Sequence, residues 1–293
     1  MSMPNTTDTK NRYIWIFFAL TYFITWVFWI PLALSGQNVM ASPLMIVLLI
    51  GGFGPSIAGI ILTYRTQDKE GRRDFWKRSI KFNQIGAGWY FVIVLIFPLL
   101  YALTILLDIL LGGSPPGADA LTQIAAQPVS LIGMLFMGLI IGPLAEEFGW
   151  RGFALDPLQS RSSALASALV IGVFWWAWHF PLFFMEGMLQ NEWGVGTMAF
   201  WAYAVSVFSL SVLFTWVFNN TQRSILAAIL LHFMYNSTLN VLSPLSDRAS
   251  LLATSILVLA TVIVVIRWGP KTLTRNQRQV KIKGQMEVPY VSD

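Results

Sequence analysis

Cysteine is absent from the 293 residues, which excludes disulfides, thiol nucleophiles and thiolate metal sites together. Charge is scarce as well. Charged residues make up 11% of the chain against 56% hydrophobic ones, and the mean hydropathy is +0.63, far from the balance of a soluble globular domain. Histidine occurs only twice, as His179 and His232. Also missing is any polar stretch long enough to fold by itself, since the longest, 65–87 and the tail from 267, are too short for an independent core. What the chain does have is apolar runs able to cross a hydrocarbon layer of about 30 Å. Eight stand out: 13–34, 43–64, 88–111, 128 to about 155, 162–185, 197–218, 224–242 and 250–266. Each is long and apolar on both parities, which predicts helices and not the alternating strands of a membrane barrel. The predicted fold is all-α: a polytopic membrane protein of about eight transmembrane helices, with any site inside the helical bundle.

Basic residues set the orientation, because positively charged loops stay in the cytoplasm. Lys10 and Arg12 precede the first run, and Arg65, Lys69, Arg72, Arg73, Lys77, Arg78 and Lys81 fill the loop after the second. Arg161, Arg223 and the tail residues from Arg267 to Lys283 lie on the same side, with Arg151 near it. Of the 19 Lys and Arg only Arg248 falls on the other. Both termini are expected in the cytoplasm of a multi-pass cell-membrane protein. The same bias accounts for a pI of 9.6 through a basic inner face on anionic lipid, so membrane lipid is the expected partner and nucleic acid is not. The segment PLALSGQ at 31–37 has the small-x-small look of a leader cleavage site after Ser35, but the 22-residue run before it exceeds the usual 7 to 15 of a leader. It is expected to remain as the first span.

Polar groups inside the runs are few and are candidates for function by default. They are Glu146, Glu147 and Arg151 in the fourth run, His179 in the fifth, His232 and Asn236 in the seventh, and Asp108 near the outer end of the third. An ionised group at mid-membrane costs about 2.5–3.5 kcal/mol, whereas a Leu or Ile returns only about 0.3–0.6. Three charges in one span must therefore be paired, neutralised or wetted. Glu147 and Arg151 are four apart in the order that favours an ion pair, while Glu146 points about 100° away. Gly142 and Gly149 are expected beside Glu146, leaving room over its carboxyl group, with Pro143 able to bend the helix there. His232 and Asn236 also share a face. Carboxylates, two imidazoles and an amide on three spans describe one polar site.

These residues carry a resemblance. EEFGWR (146–151) fits an EExxxR motif, WWAWH (175–179) resembles FxxxH with Trp175 in place of the Phe, and HFMYN (232–236) fits HxxxN. The three motifs, in this order, resemble those of the CAAX prenyl endopeptidase and bacteriocin-processing family, the CPBP or Abi family of eight-helix intramembrane proteases. The resemblance covers about 128–243 and implies a catalytic core there, between an N-terminal part of three spans and the basic loop at 1–127 and a last span with a basic tail at 244–293. It implies that Glu146 and His179 activate a water, that His232 and Asn236 stabilise the tetrahedral oxyanion, and that Glu147 and Arg151 support the site. The expected activity is hydrolysis of a peptide bond in a membrane-associated peptide or lipidated protein, CaaX-type or bacteriocin-like. A zinc ion on Glu146, His179 and His232 is compatible with the residue types, though no HExxH pair is present. Two other readings remain: a non-catalytic membrane immunity or scaffold protein, and a proton-coupled transporter in which Asp108 takes part. One difficulty is depth, because His179 lies about twenty residues beyond its turn and Glu146 only about ten before it.

Overall fold

A computed structural model describes residues 6–41, 43–115, 117, 122, 125–127, 129–242 and 245–275. Among the described residues there is no strand, and eight helices are long and apolar enough to cross a membrane. They run Arg12–Leu34, Leu44–Thr66, Ala87–Leu110, Leu131–Gln159, Ala164–Phe184, Met198–Asn220, Ile225–Leu242 and Asp247–Trp268. Each apolar run of the sequence is found as a span, its ends moved by a few residues. The outer segments 112–127 and 243–249 and the tail lie partly outside the described residues.

Span one is the helix α1 (Thr6–Leu34), and span two is broken into α2 (Leu44–Gly52) and α3 (Gly54–Thr66), where Pro55 sits in the first turn, a position that needs no N–H. A short polar helix follows, α4 (Lys69–Ile80). Asp68 starts it by accepting a hydrogen bond from the Gly71 amide at 2.8 Å, while Lys77 and Arg78 suit the negative end of its dipole. Its Phe75 is buried against Phe148 of span four, ring centres 6.0 Å apart. Span three is α5 (Ala87–Leu110). Span four comes in three helical pieces, α6 (Val129–Leu139), α7 (Ala145–Gly149) and α8 (Leu155–Gln159), joined by π-helical stretches Ile140–Leu144 and Trp150–Ala154. Beyond it lie α9 (Ala164–Trp178), the short α10 (Leu189–Trp193), α11 (Met198–Asn220), α12 (Ile225–Leu242) and α13 (Asp247–Trp268). In the bundle α3 packs against both α1 and α7, α11 lies between α9 and α13, and α5 touches α12 and α13.

Gly149 is a point of close helix approach and not a space above a carboxyl group. A Cβ on Gly59 of α3 would come within 2.7 Å of the Phe148 carbonyl oxygen, and one on Gly149 would run into the backbone of Pro55. The expectation that Gly149 opens room over Glu146 is therefore corrected: only a residue without a side chain lets α3 and α7 approach this closely.

The depth difficulty resolves through one ion pair and one late helix start. Arg223 donates through Nε to Asp156 Oδ1 at 2.7 Å and through Nη2 to Asp156 Oδ2, fixing the turn before α12 against the end of span four. Burial works against the Arg223 charge, but the adjacent Asp156 outweighs it and lifts the guanidinium pKa above its ordinary value. Arg78 of α4 joins the cluster, donating to Asp156 and to the Arg223 carbonyl. Counting from this pin, Glu146 lies ten residues back and His232 nine residues on, each about 14–15 Å at 1.5 Å per residue. The two sit level. His179 is only 15 residues into α9, which begins at Ala164, so it stands about 22 Å above that start, close to the height of Glu146 above Gln159.

At the far end of the bundle Arg248 Nε donates to Asp108 Oδ1 at 2.5 Å. This pair ties α5 to α13 and gives both polar outliers of the sequence a structural duty: Asp108, and the one basic residue on the wrong side.

Candidate functional site

The fourth span departs from a regular helix at the polar segment. Ile141 is extended (φ −81°, ψ 110°) and Gly142 takes φ 93°, ψ −79°, a region open to glycine and strained for other residues. Pro143 follows and has no N–H to give back to the Ile141 carbonyl. The side-chain amide of Asn236 supplies the missing donor, Nδ2 to Ile141 O at 3.3 Å. Non-helical backbone at membrane depth is tolerated where it lines a protein-enclosed site, and a Cβ on Gly142 would lie 2.7 Å from Asn236 Nδ2 and 2.9 Å from His232 Nε2. Gly142 thus faces these two nitrogens and not Glu146, contrary to the sequence expectation, because the break removes the helical i−4 relation.

The two carboxylates are held in different ways. Glu147 and Arg151 are both fully buried (0% exposed) and paired, Arg151 Nη1 donating to Glu147 Oε1 at 3.1 Å. The same oxygen accepts from His232 Nδ1 at 2.8 Å. The guanidinium is stacked between the rings of Trp175 and Phe214, at 4.7 and 4.5 Å from their centres. Glu146, 5% exposed, has no ionic partner among the described residues. Its Oε2 accepts from the indole N–H of Trp150 at 3.3 Å and from that of Trp175, and Oε1 takes no hydrogen bond from the described residues. Glu146 therefore does have a partner on its own helix, one turn on, but a neutral one.

Hydrogen bonds also fix the tautomers. A carbonyl can only accept, so the 2.8 Å contact between His179 Nδ1 and Trp175 O puts the proton on Nδ1 and leaves the Nε2 lone pair free. His179 stands at the end of α9, packed on Trp178, Tyr203 and Trp175 with ring centres 4.6, 5.9 and 6.2 Å away. The His232 ring lies 5.6 Å from Trp175 and 5.5 Å from Phe214, within electrostatic reach of both Glu146 and His179.

Four of the six residues, Glu146, Arg151, His179 and His232, lie against Trp175, while Glu147 joins through Arg151 and His232 and Asn236 stands with His232 at Gly142. Among the described residues no three His, Asp or Glu side chains could hold a metal ion together. Glu146, His179 and His232 do not form such a group, although each keeps one atom, Oε1 or Nε2, outside the hydrogen bonds described. Sequence reasoning missed Trp150 and the indole N–H of Trp175. Trp150 stands four after Glu146, so the spacing rule that pairs Glu147 with Arg151 was enough to find it, whereas the Trp175 indole reaches Glu146 across 29 residues and no local spacing reports it.

Comparison with known proteins fits this arrangement. The sequence model for type II CAAX prenyl endopeptidase, Rce1-like, matches residues 128–238, a range that contains every one of the six. A protein of Methanococcus maripaludis, CAAX prenyl protease 2, is 29% identical over 255 residues, covering 86% of this chain and 92% of its own.

Proposed function

We propose, for a chain that belongs to the Rce1-like CAAX prenyl endopeptidase family and is an intramembrane endopeptidase, that a water held between Glu146 and His179 attacks the scissile carbonyl. The substrate of such an enzyme is a peptide or a prenylated protein met in the membrane. Glu146 Oε1, the unengaged oxygen, takes the proton of the water as its oxygen bonds to the carbonyl carbon, and the His179 Nε2 lone pair orients that water. The resulting oxyanion is held beside Asn236 Nδ2 and His232 Nε2, the two nitrogens that converge next to Gly142. As the C–N bond breaks, Glu146 returns the proton to the leaving amine. The products are a carboxylate and an amine, with no group left changed.

The observation that carries this reading is the convergence of two side-chain nitrogens, Asn236 Nδ2 and His232 Nε2, on the bare face of Gly142, where a Cβ would meet them at 2.7 and 2.9 Å. Asn236 donates one of its two amide hydrogens to Ile141 and keeps the other. His232 engages Glu147 through Nδ1, which leaves Nε2 as the ring atom beside Gly142. The finer substrate we assign is a lipidated, CaaX-type tail.

The test is cleavage of quenched peptides, with and without a prenyl group, by detergent-purified protein. His179→Ala and His232→Ala are each expected to reduce turnover at least 100-fold while the protein still purifies as a single species, and exhaustive chelation is expected to leave wild-type turnover unchanged. Near-wild-type rates in either variant break the shared site, and loss on chelation with recovery on adding zinc returns the metal reading.

The orientation we assign puts both termini and α4 in the cytoplasm, supported by the basic residues concentrated on that side. With no native cysteine, a single one is an unambiguous reporter. Gln37→Cys is expected to react with an impermeant maleimide on intact cells and Arg73→Cys only after lysis; the opposite pattern reverses the topology.

A further inference from the structure

The structure assigns Trp175 a role that no motif gives it: we propose that it is the positioning residue of the water-activating pair, holding Glu146 through its indole N–H and His179 through its carbonyl. The proposal rests on Glu146 being the general base. The motif that WWAWH resembles has Phe at this position, and Phe offers an aromatic face but no donor. Here the indole N–H lies on Glu146 Oε2, and the carbonyl of the same residue accepts from His179 Nδ1 at 2.8 Å. One residue thus sets the separation of the two groups that address the water, one through its side chain and the other through its backbone.

Three features make the side-chain half matter. Both hydrogen bonds to the carboxylate fall on the same oxygen, since Trp150 Nε1 also reaches Oε2, at 3.3 Å. With Oε2 committed, rotation about the carboxyl bond is blocked and Oε1 is the oxygen presented to water. Second, Trp175 is buried and lies at membrane depth, where no bulk solvent replaces a lost donor. Third, the rest of the ring is already occupied: the Arg151 guanidinium covers its face at 4.7 Å, and Phe214 and His232 stand 5.8 and 5.6 Å away. A Phe keeps an aromatic face for these contacts but loses the donor together with the ring atoms that a Trp→Phe change removes at any site.

The adjacent residue supplies a matched control. Trp176 is on the same helix, and its indole nitrogen is buried without a hydrogen-bond partner, so Trp176→Phe removes the same atoms but no interaction with Glu146. Trp175→Phe is expected to lower kcat about 10- to 100-fold, the worth of a hydrogen bond to a charged group, with KM within twofold of wild type; Trp176→Phe is expected to leave kcat unchanged. Incorporation of benzothienylalanine at 175, which replaces the indole N–H by sulfur at nearly constant shape, is expected to reproduce the loss and covers the case in which the Phe variant does not fold. Glu146→Gln is assayed alongside. If Glu146→Gln retains turnover, the general-base assignment falls and this proposal with it. If Glu146→Gln is inactive while the Trp175 variants turn over like Trp176→Phe, or raise KM at constant kcat, the assignment of Glu146 stands and the positioning role of Trp175 is overturned.

Discussion

Glu146→Gln is expected to cut peptide hydrolysis by about 10²–10⁴-fold, the usual worth of a general base, and to leave the thermal unfolding midpoint unchanged or slightly raised. The two halves of this expectation have separate causes. Catalysis goes because an amide nitrogen accepts no proton from water. Stability stays because the carboxamide of Gln can turn its oxygen toward Trp150 and Trp175 and keep both indole hydrogen bonds, while a buried charge that has no ionic partner is removed. The measurement is turnover and thermal unfolding on the same preparation. Retained turnover in Glu146→Gln, together with a folded but inactive Glu147→Gln, would mean that the two carboxylates have been given each other's duties.

The second large effect is on folding. Removing one member of a fully buried ion pair strands the other and costs about 3–5 kcal/mol. Glu147 and Arg151 are such a pair, but their neighbours differ, and the losses should differ with them. In Glu147→Gln the guanidinium is left between two aromatic faces with no anion against it, and one neutral carboxamide oxygen has to serve both Arg151 and His232. In Arg151→Met the carboxylate keeps His232 at 2.8 Å. Glu147→Gln is therefore expected to be the more destabilising change. Combining it with Arg151→Met is expected to restore part of the lost stability, since neither member of the pair is then left as a lone charge. Unfolding midpoints of the two single variants and the double decide this; losses that simply add mean that the pair is not coupled and that each residue acts through packing alone.

Most of the fold was legible in the sequence because membrane helices obey a length rule and a composition rule that need no tertiary information. All eight runs became spans. The site was legible in part for a related reason: at membrane depth a Glu, a His or an Asn is conspicuous against Leu and Ile, so Glu146, Glu147, Arg151, His179, His232 and Asn236 could be picked out one by one. Their partners could not all be found in this way. The Glu147 to His232 bond joins residues 85 apart, and no local periodicity reports it. Gly142 was read on an unbroken helix and so was placed beside the wrong side chain; two residues with non-helical dihedrals redirect it to His232 and Asn236. Trp175 was seen as an aromatic surface, although its nitrogen is the atom that reaches Glu146.

The close seating of span four on spans one and two bears on how far the enzyme can be trimmed. The family-matching stretch 128–238 reads as a unit, yet several of its backbone and side-chain groups are satisfied from outside it. Ser56 donates to the Leu144 carbonyl at 2.8 Å, Tyr22 to that of Phe174 at 2.8 Å and Trp26 to that of Trp178 at 3.1 Å, while Thr25 accepts the Trp178 indole N–H at 2.7 Å. Those four partners come from the first 56 residues, and three of them, Tyr22, Thr25 and Trp26, bond to the helix that ends in His179. A minimal enzyme cut to its motifs would release three carbonyl acceptors and one indole donor into hydrocarbon and unfasten the walls that carry Glu146 and His179. The N-terminal spans are thus not an accessory to the catalytic segment but the other half of its mould, and shortening is tolerable only in the loops between them.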